Sequence, residues 1–204
     1  MDEFKPFSEI FEPSPQRKIF KLTLEEHYDD IKEINLYDNV SERIRQYFDT
    51  ARNLALYSWF VYSFTPVADF QAYACLEFAL VQKTGKYVPG KFYSFKNLLE
   101  DAIERGWIKD IGFRYWRKLE ARRKKYQEEQ DDMLSQLGYP HESTLPVDPQ
   151  KYSKTLIKGF ALVRNYLAHG TPMVWIWSSL TLNLVADCIN QLYSSNDTTS
   201  KAGE

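Results

Sequence analysis

The sequence has few of the residues that support metal or covalent chemistry. Its 204 residues include two cysteines and three histidines, and neither type forms a cluster with the spacing of a metal site. Glycine-rich phosphate loops are absent, as are the Ser-x-x-Lys and Gly-x-Ser-x-Gly patterns of nucleophilic serines. The sequence therefore argues against metalloenzymes, P-loop proteins and serine hydrolases, and it predicts neither a metal nor a cofactor.

Long apolar runs and a strong charge of one sign are also missing. No uninterrupted apolar stretch reaches the ~18 residues that a membrane-spanning helix needs. The formal net charge is −2, so the chain as a whole does not attract nucleic acid, and any site for a polyanion has to be local. Cys75 and Cys188 lie in apolar helical stretches. Together with the lack of a signal peptide, they predict reduced core thiols in a soluble, cytoplasmic protein with no membrane partner.

The sequence is rich, by contrast, in helical periodicity. Hydrophobic residues make up 44% of the chain and aromatic residues 16%, which indicates a packed globule. We predict an all-α protein with a single helical bundle at 41–195, an N-terminal arm with a short helix at 1–40, and a flexible tail at 196–204. Within the arm, we expect a short strand from Lys18 to Leu22.

Capping residues, prolines and glycines set the expected limits of the helices. Thr23 and Glu26 form a capping-box pattern, and Pro66 separates two long helices. The second of these two should bury a face made of Phe70, Ala74, Phe78 and Val81. The expected helices run from Leu24 to Asn35, from Ser41 to Thr65, from Val67 to Lys83, from Ser94 to Arg105 and from Phe113 to Leu137. The last of these is long and charged, and it should either protrude or pack only along one edge.

The most informative stretch runs from Asp148 to Ser195. Asp148-Pro149 predicts a helix start, Gly170 a left-handed stop, and Thr171-Pro172 the start of another helix. Because the joint is short, we expect an antiparallel helical hairpin with Arg164 and His169 near its tip. The inward stripe of its second helix should consist of Trp177, Leu180, Leu184, Cys188 and Leu192.

His169 is the candidate for acid–base chemistry near neutral pH. The other two histidines, His27 in a polar helix and His141 in a loop, are expected at the surface. Arg164 and His169 lie about 140° apart around a straight helix and ~7.5 Å apart along it, so they do not converge on one small group. A two-fold dimer with the hairpin tips meeting would bring two arginines and two histidines into one cleft.

Such a cleft suits RNA cleavage without a metal. One imidazole would take the proton from a 2′-hydroxyl, the other would protonate the leaving 5′-oxygen, and the guanidinium groups would stabilise the charge on the phosphate. Asn165 would orient the phosphate or a ribose hydroxyl. A structural alternative stays open, because an arginine near a helix end often caps carbonyls or pairs with a buried carboxylate, and a histidine before a glycine often completes the helix end.

The segment Arg-Asn-Tyr-Leu-Ala-His-Gly at 164–170 resembles the signature of the HEPN superfamily: an arginine, a polar residue, three further positions and a histidine. The resemblance implies a dimeric helical bundle, often a metal-independent endoribonuclease of toxin–antitoxin, phage-defence or RNA-processing systems. It implies that Arg164 and His169 are catalytic with help from Asn165, and that Tyr166 is a candidate supporting residue.

The resemblance also implies partners. These are a second copy of the chain, an RNA substrate, and an antitoxin or nucleotidyltransferase protein. Many members have lost catalysis, so one alternative is a HEPN module that binds a protein partner or RNA without cutting it. Another is a nucleotide-binding regulatory domain.

Glu77 interrupts an apolar helical stripe. A carboxylate in such a place is costly unless it is paired. Glu77 is therefore expected either to face the cleft and orient Arg164 or His169, or to form an ion pair elsewhere in the bundle.

Seven of the twelve residues from Arg114 to Lys125 are basic. This run would guide RNA to the site, with Tyr115 and Trp116 available to stack on bases. Its candidate RNA contacts are Arg114, Arg117, Lys118 and Arg122. The alternative is a solvated helix whose Lys124–Glu128 and Lys125–Glu129 pairs compensate each other, and the acidic residues that follow favour it.

Overall fold

The computed structural model describes residues 3–19, 22–86, 93–139, 148–169 and 178–194. Within these ranges the chain forms helices and turns and no strand, which confirms the predicted all-α fold. Two short 3-10 turns, Phe7–Glu9 and Asp110–Gly112, accompany the helices. The helices are α1 (Pro15–Ile19), α2 (Leu24–Lys32), α3 (Glu42–Tyr57), α4 (Phe64–Thr84), α5 (Phe95–Glu104), α6 (Arg114–Gln136), α7 (Lys151–Ala168) and α8 (Ser178–Tyr193).

Helix α4 is the centre of the bundle, because α3, α5, α7 and α8 all pack against it. Its fully buried positions include the small residues Ala68, Ala72 and Ala79, and small side chains let neighbouring helices approach closely. Helix α8 supplies a second row of buried residues, namely Leu182, Val185, Ala186, Cys188, Ile189 and Leu192. Both cysteines are free and buried, as predicted.

Several helix limits follow from local signals. The Thr23–Glu26 capping box at the start of α2 forms as predicted, with both of its hydrogen bonds present. Ser94 accepts a hydrogen bond from the backbone N–H of Asn97 and caps α5. Gly85 ends α4 with φ of 63°, a left-handed conformation that favours glycine. None of the helices in the described ranges is long and apolar enough to cross a membrane.

The predicted strand from Lys18 to Leu22 is wrong in its described part, because Pro15–Ile19 is helical. Long-range contacts hold this short helix. Ser14 donates a backbone hydrogen bond to the carbonyl of Trp59 at 2.9 Å, and the buried Arg17 donates to the hydroxyl of Ser58 at 2.7 Å. Distant contacts of this kind override local propensity.

The predicted end of the third helix is also wrong, because α3 ends at Tyr57 and not at Thr65. The Ser58 hydroxyl donates to the carbonyl of Ala55 at 2.6 Å, and the chain turns there before α4 begins at Phe64. Pro66 therefore lies inside the first turn of α4, where a helix tolerates proline because the first N–H groups have no partner within the helix.

The predicted inward face of α4 is right only in part, because Phe78 and Val81 pack against the core but the most buried side chains lie at other positions. Phe70, Ala74, Phe78 and Val81 are only partly buried, while Ala72, Leu76 and Leu80 are fully buried. A helix that is surrounded on several sides has no single apolar stripe, so periodicity alone does not identify its buried face.

The two helices of the predicted hairpin do not pack extensively on each other. Helix α7 packs mainly on α5 and α4, whereas α8 packs mainly on α4 and α3. Helix α7 begins at Lys151, and Asp148 forms a turn before it by accepting a hydrogen bond from the N–H of Gln150 at 2.9 Å. Leu180, expected on the inward stripe of α8, is 51% exposed. The predicted joint at Gly170 and Thr171-Pro172 lies outside the described residues, as does Trp177.

His27 is buried, contrary to the prediction of a surface residue. Its Nε2 lies 3.0 Å from the carbonyl oxygen of Ala55, and its ring is tilted against that of Trp59. Burial, together with the nearby charge of Arg17, holds the pKa of His27 below its usual range. His141 and the predicted tail at 196–204 lie outside the described residues.

Candidate functional site

Arg164 lies in the last turns of α7 and is tied to α4. Its Nη2 donates to Oε2 of Glu77 at 2.9 Å, and its Cζ lies 6.0 Å from the centre of the Phe70 ring. The Nε atom of Arg164 is buried and lacks a hydrogen-bond partner in the described part of the chain. The ion pair and the aromatic contact together fix the guanidinium at the edge of the bundle, where about 30% of its side chain stays exposed.

Glu77 thus pairs with Arg164 and not with another part of the bundle. This contact agrees with the expectation that Glu77 orients the arginine of the motif. It also explains how a carboxylate is tolerated on the mostly apolar α4, because a charge-assisted hydrogen bond compensates its partial desolvation. A role for Glu77 in chemistry remains a prediction.

Three of the other motif residues lie on the exposed side of α7, whereas Leu167 packs against the core. Asn165, Tyr166 and His169 are exposed, and His169 is the C-terminal cap of α7, with its backbone N–H donating to the carbonyl of Asn165 at 3.1 Å. Leu162, one turn earlier, is 53% exposed. Since Leu162 lies three and four residues before Asn165 and Tyr166, and His169 lies four and three residues after them, the four residues form one outward face of α7.

Arg164 and His169 therefore lie on different sides of α7, as the helical geometry predicts. Arg164 faces α4 and Glu77, while His169 caps the exposed end of the helix. Within one chain, the arginine and the histidine do not form a compact pair.

Asp69 is a residue that the sequence analysis missed. It lies one position before Phe70 on α4 and is 1% exposed, and neither of its carboxylate oxygens has a hydrogen-bond partner of normal geometry in the described ranges. Burial raises the pKa of Asp69 to about 7, against a smaller opposing effect of the Thr181 hydroxyl. The signal was available, because Asp69 interrupts the same apolar stretch as Glu77.

The basic run on α6 lies elsewhere. Helix α6 has no fully buried residue, and Trp116 near its start packs against the core, so the helix contacts the bundle along one edge. Its first residue, Arg114, is bound to Asp187 of α8 through Nε at 2.7 Å and through its backbone N–H at 2.9 Å. Its Lys125 lies 3.9 Å from Glu129, as the solvated-helix alternative expects.

The start of α6 and the motif lie at different ends of α7. Asp110, just before α6, binds the backbone of Tyr152 and Ser153 at the start of α7. Arg164 is eleven residues further on, or roughly 16 Å along the axis. The structure therefore does not bring Arg114 to the motif. Arg117, Lys118 and Arg122 are exposed on the same helix.

No protein-family model, curated protein or solved structure matches the chain. The fold and the site define an all-α protein. In its candidate site, the partly buried Glu77–Arg164 ion pair lies next to the exposed end of α7, which carries Asn165 and His169.

Proposed function

We propose that the chain is a HEPN-type endoribonuclease that cuts single-stranded RNA as a homodimer, without using a metal. The observation that carries this proposal is the Arg164–Glu77 contact of 2.9 Å. It orients the arginine of the 164–170 motif next to the exposed helix end that bears His169. A toxin–antitoxin or phage-defence role, with an antitoxin or nucleotidyltransferase partner, belongs to the same proposal.

In the proposed reaction, the 2′-hydroxyl oxygen of the RNA attacks the adjacent phosphorus. One His169 imidazole accepts the proton of that hydroxyl, and the bond from phosphorus to the 5′-oxygen breaks. The imidazolium of the second copy's His169 protonates the leaving oxygen, so the products carry a 2′,3′-cyclic phosphate and a 5′-hydroxyl. Arg164 stabilises the charge that develops on the phosphate oxygens.

The outward face of α7 supports the proposed dimer. Leu162 and Tyr166 are each about half exposed, and they flank Asn165 and His169. Exposed aromatic and apolar side chains are typical anchors of a protein–protein contact. Two copies that meet through this face would bring their two His169 side chains together, with each Arg164 held by Glu77 at the border of the contact.

The test is RNA cleavage in the presence of EDTA, with wild type compared with His169→Ala and Arg164→Ala. The proposal expects both substitutions to reduce cleavage at least about a hundredfold, as loss of a proton-transfer group or an electrostatic stabiliser does. The matched control is Lys158→Ala, because Lys158 is an exposed cation on the same helix and lies outside the motif. Analysis of the product ends should reveal the cyclic phosphate.

The exposed α7 face also favours a second candidate, a non-catalytic HEPN module that binds a protein partner or RNA. A dimer that cuts none of a broad set of RNAs would support the binding module and contradict the proposed nuclease activity. Cleavage that persists unchanged in His169→Ala would sink the proposed mechanism.

A further inference from the structure

A second concave site lies away from the motif. It is a cleft of about 720 Å³, and it forms where the end of α5, the 3-10 turn Asp110–Gly112 and the start of α6 meet the last turns of α8 and the loop after α2. Its volume is in the range of small-molecule sites. The lining side chains used in the argument below are Tyr37, Arg105, Trp107, Lys109, Arg117 and Gln191.

The cleft concentrates positive charge in a protein whose net charge is negative. Four basic residues and two acidic residues line it, and one of the acids, Asp187, is already bound to Arg114 at 2.7 Å. Lys109 and Arg117 have exposed side chains. Arg105 pairs with Asp101 through Nε at 2.9 Å, and 48% of its side chain stays exposed. Because like charges repel at short range, a bound anion would stabilise this arrangement.

The walls of the cleft are fixed by α8. The side chain of Asn190 accepts from the N–H of Tyr37 at 2.8 Å and donates to the carbonyl of Asn35 at 3.1 Å. Oε1 of Gln191 accepts from the N–H of Lys109 at 2.8 Å. Two loops that carry lining residues are thus pinned to one helix, and such preorganisation lowers the entropic cost of binding.

Aromatic rings complete the site. The ring of Trp107 lies 5.0 Å from the guanidinium carbon of Arg105, which helps to hold that cation at the rim. Tyr37 is 58% exposed, so a face of its ring is available to a planar ligand. Cations beside an exposed aromatic ring are the combination that recognises a phosphate joined to a nucleobase.

We propose that this cleft binds a nucleotide, with its phosphates on Lys109, Arg117 and Arg105 and its base against Tyr37. The nucleotide is either a free nucleoside triphosphate or one unit of a single-stranded RNA. The proposal goes beyond the nuclease activity, because the cleft shares no residue with the 164–170 motif and can bind its ligand whether or not the chain cuts RNA.

The test is calorimetric titration of the full chain carrying His169→Ala, so that RNA stays intact during the measurement. One arm uses ATP and the other a fluorescent single-stranded RNA of ten nucleotides. The double variant Lys109→Ala/Arg117→Ala should weaken the binding of the true ligand at least about tenfold, since it removes two charge-assisted contacts. The matched control is Lys151→Ala/Lys158→Ala, which removes two exposed cations of α7 that do not line the cleft and are not among the candidate RNA contacts.

Tyr37→Phe should retain binding and Tyr37→Ala should reduce it about fivefold, because stacking on the ring needs its face and not its hydroxyl. Saturable ATP binding identifies a free nucleotide as the ligand, and binding of RNA alone identifies a unit of the strand. The proposal is overturned if neither probe binds at millimolar concentration, or if the control variant loses as much affinity as the cleft variant while both retain the wild-type melting temperature.

Discussion

Asp69 shows how a single side chain can set the pH dependence of the whole fold. Its carboxyl group is 1% exposed and, within the described ranges, without a hydrogen-bond partner of normal geometry. Burial raises its pKa to about 7, whereas an unfolded aspartate titrates near about 3.9. Between these two values the folded protein binds a proton that the unfolded chain has already lost. Stability from this group is therefore lost as the pH rises from about 4 to 7.

We expect Asp69→Asn to raise the free energy of unfolding at pH 8 by on the order of 4 kcal/mol and to leave it almost unchanged at pH 4. The amide has the same shape but does not ionise. Urea unfolding of wild type and variant at both pH values measures the difference. An equal effect at the two pH values would show that ionisation of Asp69 does not contribute.

Glu77 is the residue through which the proposed chemistry depends on the core. We expect Glu77→Gln to lower the rate of RNA cleavage about tenfold, because the guanidinium of Arg164 loses its orienting charge. The free energy of unfolding should change by less than about 1 kcal/mol, because both partners are more than a quarter exposed and solvent screens such pairs.

The matched control for Glu77 is Glu120→Gln, which removes an ion pair of the same length, 2.9 Å, to Arg123 on α6. Cleavage by the control should match wild type. If Glu77→Gln keeps full activity, the Glu77–Arg164 ion pair has a structural role only and does not contribute to RNA cleavage.

At the scale of the element, the start of α7 depends on a hydrogen-bond acceptor that is distant in the sequence, Asp110. Asp110 accepts hydrogen bonds from the backbone N–H groups of Tyr152 at 3.0 Å and Ser153 at 2.8 Å, and also from the Ser153 hydroxyl. Asp110 is 3% exposed. It satisfies helix-start donors that have no partner within the helix itself.

We expect Asp110→Ala to lower the free energy of unfolding by about 2 to 3 kcal/mol, because it leaves buried N–H groups unpaired. Asp148→Ala should cost less than about 1 kcal/mol, since Asp148 is exposed and its bond to Gln150 lies in a turn before the helix. Chemical denaturation of the two variants side by side measures both values. Equal losses would show that the local acceptor, not the distant one, anchors α7.

A comparison of α7 with the other helices shows which parts of the fold the sequence could predict. Local signals, such as the Thr23–Glu26 capping box and the glycine after Thr84, gave the existence and the ends of helices, because both partners lie within a few residues. Asp148 had the correct residue type to start α7. The acceptor that binds two backbone N–H groups of its first turn, however, is the buried Asp110, more than forty positions away. The buried face of α4 and the separation of α7 from α8 depend on such distant packing, and periodicity does not encode it.

For the candidate site, too, the sequence predicted the features that depend on local geometry and missed those that depend on distant contacts. The Arg164–His169 spacing correctly predicted that the two side chains do not converge within one chain, because that follows from helix geometry alone. The pairing of Glu77 with Arg164 was one of two open expectations, and only the crossing of α4 and α7 selects it. The cleft around Lys109 was missed, since its cations come from the end of α5, a connecting turn and the start of α6.

At the scale of the whole molecule, the proposed function requires two copies to meet through the outward face of α7. We expect Leu162→Glu to convert a dimer into a monomer and to abolish RNA cleavage, because it places a charge in an apolar contact. Light scattering after size-exclusion chromatography gives the mass. The control is Leu119→Glu, which alters a similarly exposed leucine on α6 and should leave the dimer intact. A wild-type monomer would contradict the composite site.

Helix α6 has one more consequence for the molecule as a whole. Its 23 residues include none that is buried, and its length is roughly 34 Å. In its first turn, Arg114 is bound to Asp187 and Trp116 packs against the core, and the helix also contacts the adjoining turn Asp110–Gly112. A force applied to the outer end of α6 is therefore expected to reach the bundle through the start of the helix, where Arg114 binds Asp187.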